Sequence, residues 1–241
     1  MIAVSDLLLD IHTHTIASGH AYGTIREMAE SAGKRNLKLL GISEHAPGIP
    51  GTCDPIYFSN LSVAPKNWNG TEIIYGCEVN VLNDGTLSLA QKYLDYLDFA
   101  IIGIHKQCYH NEGILKNTEN IVSCMKAPKV CLVSHPDDDH MPLDYEKLVL
   151  GAKKYHVALE LNNSSLLKPQ KRLNCVENYK KMLSLCQKHG VFVMISSDAH
   201  DPAYVGRFEE ACTLLNQVGF TKELLINTDV KKFKLHIGLV S

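Results

Sequence analysis

The 241-residue sequence is short of several things. It has one tryptophan, and aromatic residues make up 7% of it. It has no excess of one charge: 24 Lys and Arg stand against 26 Asp and Glu, with a pI near 6.6. That balance gives no reason to expect a nucleic-acid or anionic-membrane surface. None of the eight cysteines is arranged as C-x-x-C. Several sit inside apolar runs, as in Val130-Cys131-Leu132-Val133, so they read as reduced, buried thiols and not as a disulfide framework. No apolar run is long enough to span a membrane, and the first nine residues lack the basic and apolar regions of a secretory signal. A cytoplasmic location is therefore expected, with no membrane partner. Internal repeats, low-complexity segments and composition shifts are also missing, so residues 1–241 are expected to form a single domain.

What the sequence does have is alternation. Short β-type apolar runs occur at residues 7–12, 39–45, 72–78, 99–105, 129–135, 157–162 and 191–198. Most are continuously apolar, as in parallel strands covered on both faces. Between them lie helical patterns at 24–36, 87–94, 118–125, 144–155, 175–189 and 203–218. Thr24 and Asp144 suit N-caps, Glu27 completes a capping box with Thr24, and Gly190 suits a helix C-terminus. Seven strands with mostly helical connections predict an α/β protein, a distorted (β/α)7 TIM-like barrel. The Pro-, Gly- and Asn-rich stretch 46–70 is expected to be a long functional loop or lid.

The chemistry sits where the strands stop. The first run leads into Asp10-Ile11-His12-Thr13-His14, and the second ends Ser43-Glu44-His45. The third ends Cys77-Glu78, the fourth Ile104-His105, the fifth Ser134-His135, and the seventh Ser197-Asp198-Ala199-His200. In a parallel barrel these ends share one rim, where barrel enzymes place their sites. Residues i and i+2 of a strand point the same way, so His12 with His14, and Asp198 with His200, face the mouth together. Adding His20 from the following loop gives nine candidate ligands: His12, His14, His20, His45, Glu78, His105, His135, Asp198 and His200. One histidine at a strand end is more often a hydrogen-bonded structural residue. A whole rim of them points to metal, and imidazoles with a few carboxylates suit zinc, with manganese or iron as alternatives. Nine ligands with one bridging carboxylate supply three incomplete shells, which leaves room for water and substrate.

The other histidines, His110, His140, His156, His189 and His236, break the strand-end rule and read as structural or surface residues. Asp10 and Glu44 adjoin ligands but point the other way. They either orient a neighbouring imidazole or make plain structural hydrogen bonds. Asp137-Asp138-Asp139 reads as a solvated loop. Arg26, Lys106, Arg172 and Arg207 are phosphate-binding candidates or ordinary surface cations. Asn162 ends the one strand without a ligand, faces the same rim and is a candidate substrate contact.

These motifs resemble the polymerase and histidinol phosphatase (PHP) superfamily, and are most similar to its YcdX-type phosphatases. The resemblance is carried by Asp10-Ile11-His12-Thr13-His14-Thr15, Ala17-Ser18-Gly19-His20-Ala21-Tyr22, Leu159-Glu160-Leu161-Asn162-Asn163-Ser164-Ser165 and Ser197-Asp198-Ala199-His200. It spans roughly residues 7–218 and leaves no ligand position vacant. It implies a trinuclear centre in which His12, His14, Glu78 and Asp198 hold one ion. Glu78 would bridge to a second ion with His105 and His135, and His20, His45 and His200 would hold the third. The expected activity is hydrolysis of small phosphate monoesters with three divalent ions, zinc foremost. Glu78 and Asp198 would act through those ions and water. The alternatives are a PHP-type phosphodiesterase or nuclease, and a non-catalytic metal-binding module. A small phosphorylated substrate is the expected partner, nucleic acid is not, and a homo-oligomer is left open.

Overall fold

The computed structural model describes residues 1–239. Seven parallel strands lie in the order β1 (Leu9–Asp10), β2 (Leu39–His45), β4 (Thr71–Asn80), β5 (Phe99–Gly103), β6 (Val130–Val133), β7 (Ala158–Asn162) and β8 (Val193–Ser196). A short β3 (Asn67–Trp68) pairs antiparallel with the start of β4. The sheet curls into a nearly closed barrel, as the alternation predicts. Its strands are buried along almost their whole length, which is why they read as continuous apolar runs.

Five longer helices pack outside: α1 (Ile25–Lys34), α4 (Ile114–Cys124), α5 (Tyr145–Tyr155), α7 (Cys175–His189) and α8 (Glu209–Gln217). Their ends follow local chemistry. Thr24 and Glu27 form the expected capping box on α1, and Asp144 accepts from the first amides of α5. Gly190 ends α7 at φ 68°. Short helices α2 (Ile56–Asn60), α3 (Gln91–Leu94) and α6 (Asn163–Leu167) sit in the strand-to-helix loops. The expected helix over 203–218 begins only at Glu209, because a 3-10 turn at Pro202–Tyr204 and Gly206 at φ 67° interrupt the stretch. Beneath the barrel, α9 (Val230–His236) inserts Phe233 into a cluster with Leu9, Leu39, Ile74, Phe99 and Met194. This floor was not expected from sequence.

The barrel closes poorly between β1 and β8, because β1 has only two residues. One backbone bridge, Thr13 to Ala199, spans the rim side of the seam. Lower down a buried side chain does the work of a ladder. Asn227 Nδ2 donates to the carbonyls of Leu9 (2.9 Å) and Ile195 (2.8 Å), and its Oδ1 accepts from the Ile195 amide (2.8 Å). Its own carbonyl accepts from the Leu8 amide. Both N–H donors and the carbonyl oxygen of its side chain are therefore engaged at the seam, as a buried amide requires.

Candidate metal centre

The nine strand-end residues converge. Glu78, fully buried in β4, is the hub. Its Oε2 lies 3.2 Å from His12 Nε2, 3.6 Å from His14 Nε2 and 2.9 Å from His45 Nδ1. Its Oε1 lies 3.2 Å from His105 Nε2 and 2.9 Å from His135 Nε2. Asp198 continues the chain of contacts, with Oδ1 at 3.6 Å from His12, 3.4 Å from His14 and 3.5 Å from His200. His20 completes it, its Nε2 being 3.2 Å from His200 Nε2. The i, i+2 rule holds locally. Thr13, between the first two histidines, turns away and donates to the Gly41 carbonyl (2.8 Å).

Two of the candidate ligands have unusual backbones. His135 (φ 31°) and Asp198 (φ 51°) occupy positive φ without being glycine, a conformation that persists where surrounding structure over-determines it. His20 follows Gly19, at φ 81°, where a Cβ would run into the backbone of Gly51. That backbone-to-backbone approach, with the Cys53 amide donating to Ala17 (2.9 Å), ties the 46–70 loop to the loop carrying His20.

Behind the ring lies a set of orienting contacts. Glu160 Oε1 is 2.6 Å from His12 Nδ1, and its Oε2 accepts from the His135 amide (2.6 Å). Asn80 Oδ1 accepts from His105 Nδ1 (2.8 Å). Ser18 Oγ donates to Glu44 (2.6 Å), accepts from the His45 amide (3.0 Å) and sits 3.2 Å from His14 Nδ1. His200 Nδ1 donates to the Asp198 carbonyl (3.0 Å). The contacts to His12, His14, His105 and His200 take Nδ1 and leave Nε2, with its lone pair, aimed inward, whereas His45 is held by its backbone amide and turns Nδ1 inward. Glu44 thus acts on the His14 imidazole through Ser18. Asp10 instead anchors Ser197 and Gly206, shaping the loop after β8. Glu160 was missed as an orienting residue, although the i, i+2 rule places it on the same face as the strand-end Asn162. Asn162 is buried. Its amide donates to Glu160 (3.1 Å) and Asp198 (3.2 Å), and its carbonyl accepts from the Ser165 amide (2.9 Å). A direct substrate contact would fall to its remaining lone pair or displace one of these bonds.

The electrostatics fit a cation. Burial pushes the imidazoles of His14, His105 and His20 down, so they stay neutral and keep a lone pair. Burial opposes ionisation of Glu78 and Asp198, but surrounding imidazoles, His12 foremost, hold both carboxyls well below the usual range. Burial also opposes a charge on His12. Glu160, Glu78 and Asp198 overcome it and hold that ring well above its ordinary value, so a proton and a metal ion compete for its Nε2. His12 Nε2, His14 Nε2, His45 Nδ1, His105 Nε2 and Glu78 Oε2 are buried without a hydrogen-bond partner. Buried polar atoms are normally paired, and so many orphans facing one point are accounted for by cations between them. Three sets of donor atoms lie within 4.8 Å of one another: His12, His14 and Asp198; His45, Glu78 and His105; and His14, His45 and His200. The donors present therefore fit divalent metal. His45 reaches both Glu78 and the His20–His200 side, with its ring centroid 5.0 Å from that of His20.

The peripheral residues sort as follows. His140 pairs with Asp138 (2.6 Å), His156 caps α5 at φ 56°, and His189 and His236 end α7 and α9. Asp137 is a correction: it is buried and ion-paired with Arg172 (3.1 Å), not solvated. Arg26 stacks on Trp68. Two cavities flank the cluster. One, of about 450 Å³, opens beside His105 and His135 and includes Lys106. The other, of about 680 Å³, opens beside His20, Asp198 and His200 and includes Arg207. Lys171 and Arg172 line both. Among the described residues, no helix is long and apolar enough to cross a membrane.

A family model described as the PHP domain matches residues 10–240. The chain belongs to the PHP domain family. Among its curated relatives, a probable phosphatase of Thermoanaerobacter sp. (strain X514) is 40% identical, covering 96% of this chain and 94% of that one. A probable phosphatase of Clostridium novyi is 38% identical, covering 95% and 94%. The fold is also that of a Lactococcus lactis histidinol phosphate phosphatase crystallised with zinc, L-histidinol and phosphate. That protein has a TM-score of 0.62 at 17% identity and covers 88% of this chain and 94% of its own. A chain in an archaeal ribonuclease P complex has a TM-score of 0.64 at 15% identity, covering 96% and 90%. At these identities the two structures speak for the PHP barrel alone.

Proposed function

We propose that this PHP-family chain, taken over residues 1–241 as one barrel domain, is a metal-dependent phosphatase that hydrolyses small phosphate monoesters at a trinuclear centre. The observation that carries the proposal is Glu78, a fully buried carboxylate met by five imidazoles, with its Oε2 and four facing nitrogens unpartnered. The probable-phosphatase relatives and the zinc and phosphate of the Lactococcus protein support the same reading.

His12, His14, Glu78 and Asp198 would hold one ion, Glu78 with His105 and His135 a second, and His20, His45 and His200 a third. The chemistry divalent ions supply when bound is Lewis acidity towards phosphoryl oxygens and activation of water near neutral pH. The chain's own part is preorganisation. Glu160, Asn80 and Ser18 fix the imidazole tautomers, so the ligands need no reorganisation as charge develops. Asn162 positions Asp198 and Glu160 relative to each other. The water oxygen bonds to phosphorus, the ester P–O bond breaks, and the proton given up by water leaves on the alcohol.

The test uses protein purified without chelator. Elemental analysis is expected to give about three transition-metal ions per chain, and inorganic phosphate is expected to inhibit a model monoester competitively. A value near one or zero under metal-replete conditions removes the trinuclear centre. No hydrolysis with any divalent metal, together with no phosphate binding, removes the phosphatase.

A further inference from the structure

The two cavities beside the metal cluster differ in charge. In the one at His105 and His135, acids accompany the cations: Asp137 pairs with Arg172, and Asp138 lies with His140. Lys106 there and Lys171, which lines both cavities, form no ion pair among the described residues; the cavity at His20 and His200 adds Lys168 and Arg207, which are likewise unpaired, so it carries the larger excess of cations. Arg207 instead lies over the Tyr204 ring at 4.9 Å. Of the acids there, Asp198 belongs to the ring of imidazoles, and Asp201, which accepts from the Ala203 amide (2.8 Å), is outnumbered by the three cations. The same cavity holds apolar surface left open to solvent, with Tyr22 78%, Tyr204 47% and Leu167 43% exposed. Uncompensated cations beside exposed aromatic surface suit an organic group that ends in an anion.

We propose that this cavity is the leaving-group subsite, and that the substrate class is an organic phosphomonoester carrying a second anionic group, a carboxylate or another phosphate. The inference rests on the phosphatase reading above and narrows it. The phosphoryl group lies on the metal cluster, the organic body lies against Tyr22, Tyr204 and Leu167, and the far anion meets Lys168, Lys171 and Arg207. The attraction crosses partly solvated space, so it weakens as salt rises; the screening length is about 8 Å at physiological ionic strength.

The experiment compares three monoesters on one ring: phenyl phosphate, 4-carboxyphenyl phosphate and 4-(aminomethyl)phenyl phosphate. The metal-loaded enzyme is expected to favour the carboxylate over the neutral ester by about tenfold in kcat/KM, or about 1.4 kcal/mol, and to disfavour the ammonium. In Lys168→Gln/Lys171→Gln/Arg207→Gln the ratio is expected to fall towards one, while Lys147→Gln on the outer face of α5 keeps it. Calorimetry with phenylphosphonate and (4-carboxyphenyl)phosphonate, which cannot be hydrolysed, reads the same preference without turnover. Equal kcat/KM for the carboxylate and neutral esters, or a preference that survives the triple substitution, overturns the subsite. A binding preference without hydrolysis of any ester leaves the subsite standing and removes the phosphatase.

Discussion

Glu78 at the mouth and Asn227 at the seam are both fully buried polar residues, and the protein treats them in opposite ways. Asn227 uses each side-chain polar atom on backbone groups of Leu9 and Ile195. Glu78 accepts a hydrogen bond from Ser134 (2.7 Å) at Oε1, and its Oε2 has no hydrogen-bond partner. Satisfaction within the chain marks a structural group. Orphaned atoms that converge mark a group awaiting something from outside. Burial alone does not separate the two; the accounting of partners does.

The sharpest way to break that contrast is to exchange the consequences. Glu78→Gln is expected to lower kcat/KM by more than about 10³-fold, because a neutral amide cannot bridge two cations. It should leave the thermal midpoint of chelated protein unchanged or raised. Steady-state kinetics and scanning fluorimetry on the same preparation check both halves, and a variant with normal metal content and rate would sink the bridging role.

Asn227→Ala is expected to do the reverse. It strands the Leu9 and Ile195 carbonyls and the Ile195 amide, at a cost of about 3 kcal/mol in unfolding free energy. Activity per folded, metal-loaded molecule should persist. Urea denaturation gives the first number and active-site titration the second. A loss of turnover larger than the loss of stability would mean that the seam also shapes the site.

Glu160→Gln sits between these extremes. Metal affinity is expected to fall by about 10–100-fold, the usual effect of removing a group that orients a ligand. The amide can still hydrogen-bond His12 but no longer favours its electron-rich form. Competition with a chromophoric chelator measures it. An unchanged affinity would place Glu160 with Asn227 as a structural residue.

The smallest effect is expected from His189→Ala in the last turn of α7. Its change in kcat/KM should stay within about twofold, since this half-buried ring ends a helix outside the barrel and belongs to no strand end. A loss comparable to that of Glu78→Gln would show that strand-end position is not what organises the site.

Much of the contrast is legible in the sequence. Ligand candidates are visible because parallel strands are short and six of the seven carry a His, Asp or Glu at one end, so topology alone collects them. The Thr24–Glu27 capping box, the Asp144 N-cap and Gly190 are visible because they are local. Asn227 and the floor helix α9 are not, because their partners lie far along the chain and no periodicity marks them. Asp137 reads as solvated because it stands in an acidic run. Only the fold brings Arg172 onto it and buries the pair. Helix limits also move where a proline or a positive-φ glycine interrupts an otherwise helical pattern, as at 202–206.

The seam has a further consequence for biosynthesis. Asn227 bonds Leu9 across 218 positions of chain, and Thr13 bridges to Ala199. The mouth is likewise assembled from both extremes, with His12 and His14 near one end and Asp198 and His200 near the other. A polypeptide emerging from a ribosome therefore holds seven of the nine candidate ligands, through His135, well before Asp198 and His200 exist. Contacts so distant in sequence form late in folding. An unfinished chain offers its first histidines only as a loose, low-affinity set, and tight capture of metal waits until Asp198 and His200 have been made.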